Sequence, residues 1–129
     1  MIVGDANVIA YLWLPDTRTA ATERLLKKDS DWNAPFLWRS EFRNVLAGCL
    51  RRGDLKLETA LQIANGAEEQ MRGREFSVPS AQVLARVEES ACSAYDCEFV
   101  VLAQELGVAL VTSDAKLLKN FPSISRSLG

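Results

Sequence analysis

The chain is expected to fold as an α/β domain with a central, mostly parallel β-sheet flanked by helices on both faces. Two observations carry that expectation. Short strand-like runs alternate with helix-patterned segments from one end of the chain to the other. A length of 129 residues at 48% hydrophobic composition supplies apolar surface for one core but not two, so a single domain spanning residues 1–129 is expected. No repeat, linker or low-complexity segment interrupts it.

The elements follow in order. Met1-Ile2-Val3-Gly4 reads as a short buried strand ending at Asp5, and residues 7–14 carry a helical pattern stopped by Pro15. Asp16-Thr17 offers caps for a helix over residues 19–28, and residues 32–37 read as an extended piece leading to Ser40. From Glu41 the apolar Phe42, Val45, Leu46, Cys49 and Leu50 recur at helical spacing until Gly53, with Ser40 as the expected cap. Residues 57–71 form an amphipathic helix closed by Gly73, residues 75–78 a short strand, and residues 81–91 a helix. A further helix starts near Ser93 and ends at Gly107. Residues 108–112 are strongly β-prone, residues 115–120 form a short helix, and the tail from Ser123 is expected to be loosely ordered.

Composition removes several function classes. The chain has no histidine, which excludes Ser-His-Asp and Cys-His catalysis and the HExxH metal site. Cys49, Cys92 and Cys97 form no CxxC pair, so they read as free thiols rather than zinc ligands. The longest purely apolar stretch, residues 99–103, is too short to span a membrane. Asp5 breaks the N-terminus before a signal core can form, so a cytoplasmic location is expected. With a net charge of −2, any nucleic-acid binding must come from local basic patches.

Ligand sites in such folds lie beyond the carboxyl ends of the strands, which selects Asp5 and Asp114. Glu41 and Asp96 lie at the starts of two other helices. Singly, each of the four acids has a capping explanation: Asp5 and Asp114 as N-caps, Asp96 in the capping box Ser93-Ala94-Tyr95-Asp96, and Glu41 in a first turn. Jointly, helix starts ringing one sheet edge would bring four carboxylates into one crevice. Two charges ~5 Å apart repel by about 3 kcal/mol at an effective dielectric near 20. Mg2+ or Mn2+ relieves that repulsion, prefers oxygen ligands and lowers the pKa of bound water. Phosphodiester hydrolysis then needs no histidine.

The stretches Ile2-Val3-Gly4-Asp5-Ala6-Asn7, Ser40-Glu41-Phe42-Arg43-Asn44-Val45-Leu46, Ser93-Ala94-Tyr95-Asp96 with residues 99–103, and Leu110-Val111-Thr112-Ser113-Asp114 together resemble the PIN-domain nucleases, above all the VapC-like toxins of toxin–antitoxin pairs. The resemblance covers essentially the whole chain in order and spacing. It implies a metal-dependent endoribonuclease with Asp5, Glu41, Asp96 and Asp114 holding one or two Mg2+ or Mn2+ ions. It also implies supporting roles for Asn7 and Thr112, a homodimer and a cognate antitoxin. Gly4 and Cys97 depart from the usual apolar residue and alanine without removing a ligand. Glu98 is turned about 100° from Asp96 along the helix and reads as a solvated charge.

Arg39 and Arg43 flank Glu41 and are expected to meet phosphates of the RNA; the other basic residues read as solvated faces. Among the tryptophans, Trp38 alone is a candidate for stacking on a base. Phe42, Val45, Leu46 and the helix over residues 57–71 serve either an interface or the core. Two other functions compete. A haloacid-dehalogenase-like phosphatase needs a second aspartate two places after the first, and position 7 is Asn. A PIN-like module without catalysis, binding RNA or protein, would use the four acids only as caps.

Overall fold

Residues whose neighbours on both sides of the pleat are apolar are stable only where a sheet is covered on both faces, and the central strands are of that kind. The computed structural model describes all 129 residues. β1 (Ile2–Gly4), β2 (Trp32–Pro35) and β4 (Leu110–Thr112) are buried at every position. With β3 (Glu75–Phe76) and β5 (Ser125–Ser127) they form a five-stranded sheet of order β3-β2-β1-β4-β5, every pairing parallel.

Seven helices make the crossovers: α1 (Ala6–Trp13), α2 (Thr19–Lys28), α3 (Trp38–Arg52), α4 (Leu57–Gln70), α5 (Ser80–Glu88), α6 (Ala94–Leu106) and α7 (Ala115–Asn120). α1 packs on β1 and β4, and α6 on β1, β2 and β4. α6 buries Cys97 and residues 99–103 without a break, so it is a core helix rather than an amphipathic one. One hydrophobic cluster joins Val3, Ile9, Trp32, Phe42, Phe99 and Leu110. No helix is long and apolar enough to cross a membrane.

Helix ends follow local chemistry. α3 and α6 stop where Gly53 and Gly107 take left-handed φ values of 78° and 68°, a conformation open to glycine at little cost. α6 starts at Ser93, whose hydroxyl accepts from the Asp96 N–H at 3.1 Å. Four expectations need correction. The tail is ordered: β5 pairs with β4 from Leu110↔Ser125 to Thr112↔Ser127, and Ser125 is buried, donating to the Phe121 carbonyl at 2.7 Å. Ser40 does not cap α3, which begins two residues earlier at Trp38. α5 ends at Glu88 rather than residue 91, because Ser90 turns back to donate to the Arg86 carbonyl at 2.7 Å. Trp38 is wholly buried, edge-on to Phe42 at 5.6 Å between centroids, and cannot stack on a base.

Phe42 and Leu46 belong to the core, whereas α4 leaves Leu57 and Leu61 exposed. Its inner face meets α1 so closely that a Cβ on Gly66 would lie 2.6 Å from Trp13 Cζ3. The Trp13 indole is also held, donating from Nε1 to Gln70 Oε1 at 2.7 Å. Gly66→Ala should therefore lower stability by about 1–2 kcal/mol: the overpacking outweighs the roughly 1 kcal/mol gained in helix propensity. Chemical denaturation reads this directly, and an unchanged or raised midpoint would show that α1 and α4 have slack.

Candidate active site

β1 and β4 are hydrogen-bonded neighbours, so the residues that follow them emerge side by side. The Asp5 N–H donates to the Val111 carbonyl at 3.1 Å, which continues the ladder to the edge. There the Asp5 side chain turns away from the usual capping position on α1. Its Oδ2 accepts from the Thr112 hydroxyl at 2.8 Å, while the Thr112 oxygen accepts from the Asp114 N–H at 3.0 Å. Thr112, fully buried, thus ties two acids from the ends of neighbouring strands. Asp114 itself caps α7, accepting from the Lys116 N–H at 2.8 Å.

Electrostatics extend this pair to four. Asp5 is buried, and burial pushes its carboxyl above the ordinary carboxylate range. The Thr112 hydroxyl and the Ala6 backbone oppose that rise, and the charges of Asp96 and Asp114 add to it. Glu41, in the first turn of α3, is pushed up to about 7 by burial first and then by Asp5, Asp96 and Glu98. Its Oε1 is buried without a hydrogen-bond partner. Such an atom is costly to leave bare.

The four acids expected from the sequence therefore act on one another across the carboxyl edge, though Asp114 reaches Asp5 and not Glu41. No three Asp, Glu, Cys or His side chains converge closely enough to enclose an ion by themselves. Magnesium needs no such cage, since it is commonly held by one or two carboxylates with water completing the shell. An all-oxygen donor set, mutual repulsion and the bare Glu41 oxygen suit a hard divalent cation.

Beside Glu41 lies a groove of about 390 Å³ lined by Asn7, Leu37, Ser40, Asn44, Val45 and Tyr95. Asn7 is exposed on its wall, and Thr112 touches Asp5 directly. Arg43 is exposed with no carboxylate partner within ion-pair distance. Arg39, expected to meet phosphates, is committed elsewhere. Its guanidinium forks onto Glu75 and reaches Glu68 Oε1 at 2.7 Å. Glu75 also accepts from Trp38 Nε1 at 2.8 Å. Those hydrogen bonds, the Arg39 fork foremost, hold the Glu75 carboxyl below its ordinary range. The cluster anchors the start of α3 to β3, one turn from Glu41.

Glu98 is the residue that local spacing misjudged. It is half-buried, burial raises its carboxyl, and its charge adds to the rise at Glu41 on α3. The angle along its own helix says nothing of a neighbouring helix. The three cysteines are free and buried; burial pushes the Cys92 and Cys97 thiols up, away from reactive thiolates.

With this geometry in place, comparison with known proteins decides the family. The family model described as PIN domain matches residues 2–122. The chain belongs to the PIN domain family. Among curated proteins, "Ribonuclease VapC3" of Pyrobaculum aerophilum is 26% identical over 126 residues, covering 95% of this chain and 96% of the relative. The crystal structure of PAE2754 from the same organism superposes with a TM-score of 0.78 at 20% identity, covering 98% of this PIN domain and 90% of that chain. FitAcB from Neisseria gonorrhoeae gives 0.71 at 18% identity, with coverage of 100% and 97%. At those identities the two structures speak for the fold alone.

Proposed function

We propose that the chain is a divalent-metal-dependent endoribonuclease of the VapC type, the toxin of a toxin–antitoxin pair, with Asp5, Glu41, Asp96 and Asp114 as its acidic site. The observation that carries the reading is the mutual repulsion of these carboxylates at the carboxyl edge of the sheet, where burial holds Glu41 at about 7 and leaves its Oε1 unpartnered. Family membership and a ribonuclease relative that matches the chain end to end support it. The ribonuclease relative favours an RNA substrate; a cognate antitoxin and a homodimer complete the proposal.

Asp5, Glu41, Asp96 and Asp114 would hold Mg2+ or Mn2+, which when bound supplies an acidified water and offsets charge on the phosphoryl oxygen. The chain's own residues do the rest. Thr112 locks the rotamer of Asp5 and, through the Asp114 N–H, the start of α7. Ser93 fixes the first turn of α6 and with it Asp96. The Glu75–Arg39–Trp38 cluster fixes the first turn of α3 and with it Glu41. Asn7, Ser40 and Asn44 line the groove beside Glu41, where their amides and hydroxyl can orient a ribose or phosphate, and Arg43 offers a free cation.

Purified protein should cleave single-stranded or structured RNA in the presence of Mg2+ or Mn2+, and chelation should stop it. Cleavage that persists undiminished in excess chelator would remove the metal from the proposal. A catalytically silent module would bind RNA without cutting it.

A further inference from the structure

A second charged feature lies on the α2 side of the sheet. A cleft of about 380 Å³ runs between α2 and β5, lined by Arg24, Lys28 and Arg126 around Leu25 and Val111, with residues 127–129 at its rim. Arg24 and Lys28 stand four residues apart on α2 and so share one face; Arg126 faces them from the edge strand. All three are exposed. None lies within ion-pair distance of a carboxylate, whereas Arg18, Arg39, Arg52, Arg72, Arg74 and Arg86 all do. The charge of Arg126 is felt by Asp29, but that carboxylate is already held by the N-terminal ammonium at 2.7 Å and by the Asp31 N–H at 3.0 Å. Three cations without a carboxylate partner around one depression suit a polyanionic ligand.

Strand register relates the cleft to the acidic edge. Val111, in the wall of the cleft, immediately precedes Thr112, which holds Asp5. Arg126 is paired with Val111 and Ser127 with Thr112. β5 lies one strand, about 4.8 Å, outward from β4. Side chains alternate along a strand, so Val111 and Arg126 face α1 and α2 while Thr112 and Asp5 face the other side. A polymer bound at the acids reaches the cleft by rounding the carboxyl edge. On a chain whose net charge is −2, such a patch is what a phosphate backbone needs. We propose that the α2–β5 cleft is an accessory phosphodiester site, through Arg24, Lys28 and Arg126, for the RNA strand leaving the acidic centre; the proposal rests on the nuclease reading.

Binding separates this from catalysis. In an Asp96→Asn background, the affinity for a fluorescent single-stranded RNA oligonucleotide is compared with and without Arg24→Gln, Lys28→Gln and Arg126→Gln. The expected result is a fall of about tenfold or more at low salt. The slope of log K against log salt should become shallower by about 2, since each of three phosphate contacts on a single strand contributes about 0.7. The residues have no carboxylate partners, so the melting midpoint should be retained. Unchanged affinity and slope overturn the cleft while leaving the nuclease reading intact, as does an Asp96→Asn protein that binds no RNA. Weakened binding of poly-glutamate with RNA binding unchanged also overturns it, assigning the cleft to an acidic protein segment. Failure of the unaltered protein to cleave RNA with Mn2+ overturns the nuclease reading instead, and a loss of RNA binding in the triple variant then still supports the anion site.

Discussion

Asp5→Asn and Asp96→Asn should each reduce metal-dependent RNA cleavage about a thousandfold or more while leaving a folded protein. Each exchange keeps shape and removes one negative oxygen from a set that must hold a dication and orient a nucleophile, a larger loss than removing an outer supporting contact, which typically costs 10- to 100-fold. The fold survives for identifiable reasons. An asparagine carbonyl at position 5 still accepts the Thr112 hydroxyl, which bonds a single oxygen of Asp5. At position 96 the cap on Ser93 is made by the backbone N–H and not by the carboxylate. Removing the Asp5 charge also relieves burial and repulsion, so Asp5→Asn should melt higher than the parent in metal-free buffer. Single-turnover cleavage together with a thermal melt checks both halves. Full activity in either variant removes that residue from the site.

The second large effect is a dependence of stability on pH that manganese reverses. Glu41 sits at about 7 in the folded chain against an ordinary 4.5, so between those values the folded state binds more protons than the unfolded one. Its contribution is fully present below 4.5 and is lost as pH rises through 7. The full shift corresponds to about 3 kcal/mol; with the side chain only half-buried, screening reduces this to about 1–2 kcal/mol, on the order of 5 °C in melting midpoint. Metal-free protein should thus lose more stability between about pH 5 and about pH 8 than Glu41→Gln does. Mn2+ at about a hundred times its Kd should add about 2.7 kcal/mol, and more above pH 7 than below, where protons compete for the same oxygens. Equal pH slopes for parent and variant would show that Glu41 is not strained by its neighbours.

The positions of the acids in the fold were legible because local rules place them. Asp5 and Asp114 follow apolar runs that become adjacent parallel strands, and Asp96 sits three residues after a serine cap. Thr112 was suggested only by family likeness, and its tie between two acids depends on the β1–β4 register, which no local pattern states. What stayed hidden was made by partners distant in sequence. Arg39 lies beside Glu41 along α3, yet its carboxylate partners are 29 and 36 residues away. Glu98 was judged from its own helix, whereas α3 supplies the neighbour that matters. The Ser-Arg-Ser of β5 has no β-prone pattern; it is a strand because β4 offers it an open row of backbone groups.

The acids at 5, 41, 96 and 114 are carried by α1, α3, α6 and α7 or the residues just before them, and strands more than a hundred residues apart in sequence have to meet before all four act together. β1 pairs with β4 across more than a hundred residues, and such distant closures are slow relative to helix formation. A chain still emerging from the ribosome therefore holds every helix but the last before its first and last acids can meet. Destructive capacity of the proposed kind is withheld until β4 and Asp114 have been made, an interval in which a partner can already engage the earlier segments.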